Sequence, residues 1–102
     1  MAAILEGVKG FIWDEWNKGK SARKHGVSPA ETEEAFFNDN LVSYDKKHSR
    51  RESRWRMLGQ SKRGKVLFTV FTIRNNMIRV ISSRPANKRE RGIYEKKFKK
   101  VA

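Results

Sequence analysis

Two patterns of apolar spacing divide the chain near residue 40. Up to that point, aromatic and aliphatic residues come in short clusters separated by capping residues. Gly10–Trp13, with Phe11, Ile12 and Trp13, has the character of a brief strand and runs into Asp14. Asp14 is a good N-cap and Glu15 suits a first turn, so a helix is predicted from there to Lys24. Lys18, Lys20, Arg23 and Lys24 complement its negative end, Gly26 can take the left-handed C′ conformation, and His25 suits the last carbonyls. Ser28-Pro29-Ala30-Glu31 opens a second helix, with Ser as N-cap, Pro at N1 and Glu at N3. Asn38-Asp39-Asn40 ends it.

From Leu41 the period becomes that of strands. Leu41–Tyr44 is a short one, 45–52 a charged loop, and Arg54–Ser61 sets Trp55 and Met57 against Arg54 and Arg56. After a turn at Lys62-Arg63-Gly64, Val66–Ile73 is nearly all β-branched or aromatic, which predicts a central strand covered on both faces. Arg74-Asn75-Asn76 predicts a hairpin turn, because asparagine tolerates positive φ. Met77–Arg84 returns, Pro85 closes the strand, and Asn87 caps a last helix from Lys88 to Lys100 with Ile93, Tyr94 and Phe98 as its apolar side. The order β-α-α-β-β-β-β-α predicts an α+β fold, an antiparallel meander with helices on one face. At 102 residues the expectation is one domain over 1–102.

Charge changes this picture. The chain has 24 Lys and Arg against 11 Asp and Glu, a net of +13, distributed very unevenly. Residues 1–45 sum to −3, 46–65 to +8, 66–83 to +2 and 84–102 to +6. The strand-rich half is therefore the half that would meet a polyanion. With no cysteine, disulfides, a thiolate nucleophile and Cys-based metal sites are excluded. Two histidines, His25 and His48, are too few for a histidine-rich metal site, so no metal or cofactor is expected. No apolar run approaches the ~20 residues of a membrane span, and the first residues lack the basic start of a signal peptide. A cytoplasmic protein without a membrane partner is expected.

No glycine-rich phosphate loop, H-x-x-x-H spacing or serine elbow is present. What remains is metal-free chemistry with cationic side chains, and RNA is a substrate for it. A base takes the proton of a 2′-hydroxyl, cations hold the phosphorane oxygens, and an acid protonates the leaving 5′-oxygen. Arg54, Arg63, Arg79 and Arg84 lie on or beside strands, and the guanidinium fork spans two phosphate oxygens. His48, Glu52 and Tyr94 are candidate proton handlers. Each also has a structural reading: His48 as a surface residue, Glu52 as an arginine partner, Arg84 as a partner of Glu90, Tyr94 as a core aromatic. Arg79 interrupts an apolar strand and would face an open side of the sheet. Trp55 reads equally as core or as a base-stacking surface.

Three stretches then form a pattern. They are Phe11-Ile12-Trp13-Asp14 with Arg23-Lys24-His25-Gly26-Val27-Ser28; Glu52-Ser53-Arg54-Trp55 with Leu58-Gly59-Gln60-Ser61 and Gly64; and Ile78–Arg84 with Ala86, Glu90 and Tyr94. In this order and spacing the sequence resembles the BrnT toxin family of type II toxin–antitoxin systems. Ser21 and Ser83 depart from the family's usual Asn and Ala, and Pro85 from its usual basic residue. The resemblance implies a RelE-like fold, a ribonuclease that inhibits translation, neutralisation by a BrnA-type antitoxin, and contact with operator DNA only through that antitoxin. It gives weight to Arg54, Arg79, Ser82, Arg84, Glu90 and Tyr94. The expected catalytic set is Arg79, Arg84 and Arg54 on the phosphate of an RNA substrate, most simply mRNA, with His48 or Glu52 moving a proton. Lys62, Arg63, Arg56 and Tyr94 are expected to bind RNA. A basic nucleic-acid-binding module without catalysis, and a subunit that only binds an antitoxin, are the alternative readings.

Overall fold

In the computed structural model, which describes residues 3–98, Val66–Arg74 is the middle strand of a five-stranded sheet. The elements are β1 (Gly10–Ile12), α1 (Lys20–His25), α2 (Pro29–Phe37), β2 (Asn40–Tyr44), β3 (Trp55–Gln60), β4 (Val66–Arg74), β5 (Met77–Pro85) and α3 (Lys88–Phe98), after a 3-10 turn at Ala3–Leu5. The strand order is β1-β5-β4-β3-β2. β2 to β5 form the antiparallel meander, while β1 joins β5 in parallel, so the sheet is mixed. The α+β class and its element order are as the sequence pattern predicts. Asn75 and Asn76 take φ of 51° and 63° and make the tight turn between β4 and β5.

The first helix is shorter than its sequence suggests. Asp14 does cap, but it caps a turn: its Oδ1 accepts the amides of Trp16 and Asn17. Asn17 is buried and donates its side-chain amide to the carbonyls of Ile12 and Val80. That tertiary anchor holds 14–18 as a turn, and α1 starts only after Gly19, which therefore lies outside the helix. Its end is as expected: Gly26 has φ 68° and its amide donates to the Ala22 carbonyl as in an αL cap, while the Val27 amide reaches the Ser21 carbonyl. In α2 the Ser28 hydroxyl accepts the Glu31 amide.

Helices α1 and α2 cover one face of the sheet. Aromatic rings cross it in a chain, from Phe11 to Phe36 (5.3 Å) to Phe71 (5.1 Å) to Trp55 (6.2 Å) to Tyr44 (5.8 Å). Trp55 thus lies on the core side. Gly59 is required here, since a Cβ on it would stand 2.6 Å from the Ala35 carbonyl oxygen of α2. Three hydroxyls close the polar part of this core. Thr32 donates to Ser83 (3.0 Å) and Ser83 shares a hydrogen bond with Thr69 (3.1 Å). The Ser83 amide donates to the Ser21 hydroxyl (2.9 Å), so the two serines that depart from the family pattern touch each other.

Two expectations about covering are corrected. The last helix does not join the others: Tyr94 and Phe98 of α3 pack with Leu58, Val66 and Ala86. Leu58 and Val66 alternate with Gly59 and Leu67, so they point to the opposite face. Ile93, expected on the apolar side, is exposed. The central strand is covered in full on one face only, leaving Phe68 and Val70 half-buried on the other. Lys99 and Lys100, the expected end of the last helix, lie outside the described residues.

Candidate active site

The uncovered part of the second face gathers several of the candidate side chains. Strand alternation sends Arg56 of β3, Phe68 and Val70 of β4, and Arg79 and Arg84 of β5 to this side. The β4–β5 register slips by one: Val70 opposes Ser82, Phe71 opposes Val80, and Ile81 bulges between them. The bulge brings both Ile81 and Ser82 beside Val70. Together with Asp45, His48, Arg54, Arg56 and Phe68 they line a cavity of about 300 Å³. Its floor is apolar and its rim carries an imidazole, two guanidinium groups and a hydroxyl.

The imidazole is held in place. His48 Nδ1 lies 2.9 and 3.1 Å from the two carboxylate oxygens of Asp45, whose side chain is 7% exposed. The His48 ring itself is 57% exposed. Burial pushes the Asp45 carboxyl up, but bonds from the His48 ring and amide, with the His48 and Arg56 charges, outweigh it and hold it below the usual value. Asp45 was not among the expected site residues. Its signal in the sequence is an acid three positions before a histidine at the end of a strand.

The other expected residues are dispersed. Arg79 stands on the same face and reaches Asp14 at 3.3–3.4 Å; its Nε is buried with no hydrogen-bond partner among the described residues. Partial burial raises the Asp14 carboxyl, while the Trp16 and Asn17 amides and Arg79 together bring it below its ordinary value. Arg84 is bound bidentately to Glu90 at 2.8 and 2.9 Å and lies 4.4 Å over the Phe68 ring. Glu90 also forms a reciprocal capping box with Asn87. The Arg84 hydrogen bond lowers the Glu90 carboxyl, against some opposition from burial.

Glu52 is outside the cavity, paired with Arg74 at 3.1 Å. Tyr94 is buried and donates its hydroxyl to the Asp39 carbonyl. With Lys62 it lines a separate hollow of about 1320 Å³ between α3 and the β3–β4 turn, where Arg63 is exposed. The structure therefore gathers Arg54, Arg56 and His48 in the cavity, and leaves Arg79, Arg84, Glu52, Lys62, Arg63 and Tyr94 outside its lining.

A family model described as "Ribonuclease toxin, BrnT, of type II toxin-antitoxin system" matches residues 13–90, a span that holds the whole cavity. The chain belongs to the BrnT family. The crystal structure of the Brucella abortus ribonuclease toxin BrnT is similar in fold, with a TM-score of 0.59 at 23% identity, covering 78% of this chain and 97% of that one. No curated protein sequence matches this one. Residues that carry the resemblance to BrnT toxins divide between the two faces: Gly59 belongs to the covered one, while Arg54 and Ser82 line the cavity. Among the described residues of this BrnT chain, no three His, Cys, Asp or Glu converge as a metal site, and no helix is long and apolar enough to cross a membrane.

Proposed function

We propose that this protein is an endoribonuclease toxin that cleaves RNA by acid–base chemistry without a metal, inhibits translation in the cytoplasm, and is neutralised by a BrnA-type antitoxin. One observation carries the reading: a fixed imidazole, two arginines without ion pairs among the described residues, and an apolar floor share one small cavity. A base or ribose packs on Phe68, Val70 and Ile81, and the neighbouring phosphate meets Arg54 and Arg56. His48 Nε2 takes the proton of the 2′-hydroxyl. The O2′–P bond forms, the P–O5′ bond breaks with its electron pair going to O5′, and O5′ takes a proton from solvent. The products are a 2′,3′-cyclic phosphate and a 5′-hydroxyl. The arginines stabilise the charge that grows on the phosphorane oxygens.

Arg79 is the third cation in this proposal. Its long contacts to Asp14 let it exchange that carboxylate for a phosphate. Arg84, held by Glu90 at hydrogen-bonding distances on both nitrogens, serves by fastening α3 to the sheet. Operator DNA is reached only through the antitoxin. The test is incubation of purified protein with RNA in EDTA. Cyclic-phosphate and 5′-hydroxyl ends are expected, together with growth arrest that co-expressed antitoxin relieves. Dependence on Mg²⁺ or 3′-hydroxyl ends would overturn the mechanism. Intact RNA bound with steep salt dependence would make the protein a binding module instead.

A further inference from the structure

We propose that Asp45 is a positioning residue that fixes the tautomer and direction of the His48 ring, so that the RNA 2′-hydroxyl meets a basic Nε2. This rests on the reading of His48 as the base and adds a residue which that reading lacked. Asp45 stands one position beyond β2, and its amide still donates to the Arg54 carbonyl at 2.8 Å, extending the β2–β3 ladder. The turn behind it is stitched from both sides: the Ser49 hydroxyl donates to the Asp45 carbonyl (2.7 Å) and accepts the Arg54 amide (2.8 Å). The carboxylate is thereby fixed to the sheet and not to a loose loop.

Both its oxygens lie against Nδ1, so Nδ1 carries the hydrogen. In the neutral ring Nε2 is then the acceptor. Among the described residues Nε2 makes no hydrogen bond, which leaves it for a ligand. When His48 takes a proton, the adjacent carboxylate balances the new charge, in the way an acid orients the imidazole of a hydrolase triad. Arg54 and Arg56 are the other charged groups lining this cavity, and the Arg56 charge favours an ionised Asp45.

A plain turn cap is the competing role, because Asp45 Oδ1 also accepts the His48 amide at 3.3 Å. Asp45→Asn separates the two, since asparagine keeps a cap acceptor and removes the charge. Cleavage by Asp45→Asn should fall on the order of 10²-fold, while affinity for a non-cleavable 2′-deoxy oligonucleotide changes less than about twofold. In a His48→Gln background the same substitution should cost nothing further, because it acts only through the ring. Nitrogen-15 spectra of His48 should show Nδ1 protonated in the unmodified protein and a tautomer mixture in Asp45→Asn. Full activity of Asp45→Asn, losses that multiply in the double variant, or an unchanged tautomer would each overturn the proposal. A His48→Gln variant that cleaves at the full rate overturns the proton path of the proposed function, while the tautomer spectra decide Asp45's hold on the ring independently.

Discussion

Arginines at the two ends of one sheet face meet different fates. On β5, Arg84 is locked to Glu90 and Arg79 rests on Asp14. On and beside β3, Arg54 and Arg56 have no ion pair among the described residues, and the nearby acid, Asp45, is engaged by His48. A cation matched by a carboxylate at short distance on both nitrogens, as Arg84 is, fastens parts of the protein together, while the longer Arg79–Asp14 contacts hold less firmly. A cation left unbalanced beside an apolar floor is available to a phosphate. The position of the few acids, more than that of the many bases, separates the proposed working corner from the scaffold corner.

That division can be broken most directly at His48. His48→Ala should lower RNA cleavage by about 10²–10³-fold, a loss far larger than the modest destabilisation from removing the partner of Asp45. A rate within twofold of the unmodified protein would remove the β2–β3 corner from the chemistry. Arg54→Ala should cost about 10²-fold in rate and make RNA affinity less dependent on salt. Arg74→Ala, which breaks only an exposed pair with Glu52, should do neither.

At the scaffold corner the expected loss is stability. Glu90→Ala removes a helix cap and leaves Arg84 without its partner, so denaturant unfolding should show a loss on the order of 2 kcal/mol. Cleavage by the remaining folded fraction should persist; if it vanishes while the protein stays folded, Arg84 and Glu90 belong to the site. The smallest effect is in acid. Glu90 and Asp45 hold their folded carboxyls below the reference values of 4.5 and 3.8. Their stabilisation is complete above those values and fades as pH falls through the lower folded ones, because the unfolded chain binds protons first. Thermal midpoints followed downward from pH 5 should drop, and Glu90→Gln should flatten that drop.

Much of this was legible along the chain. The switch from capped clusters to period-two alternation marked the strands, because pleat geometry imposes that period whatever the partner strand. Gly26 and Ser28 marked helix boundaries through purely local bonding. The length of the first helix was not legible. Asn17 decides it through a bond to Val80, 63 residues away. The same holds for the site. Arg54 and Arg56 were visible as charges on the polar side of a strand. Asp45 was hidden in a charged loop, since nothing local reveals that a carboxylate will be buried.

By itself the sequence determined the strand and helix types, the basic half of the molecule and the resemblance to BrnT toxins, all of which depend on local period, composition or ordered motifs. Tertiary structure alone decided which charges are spent. Glu52 reaches Arg74 and Asp14 reaches Arg79 only because the sheet order brings their strands and turns together, whereas Arg84 and Glu90, six residues apart, were a visible pair along the chain. The bulge at Ile81 likewise exists only as a slip between two paired strands, and it shapes the cavity floor. Charge is a property of each residue; whether that charge is free depends on its neighbours in space.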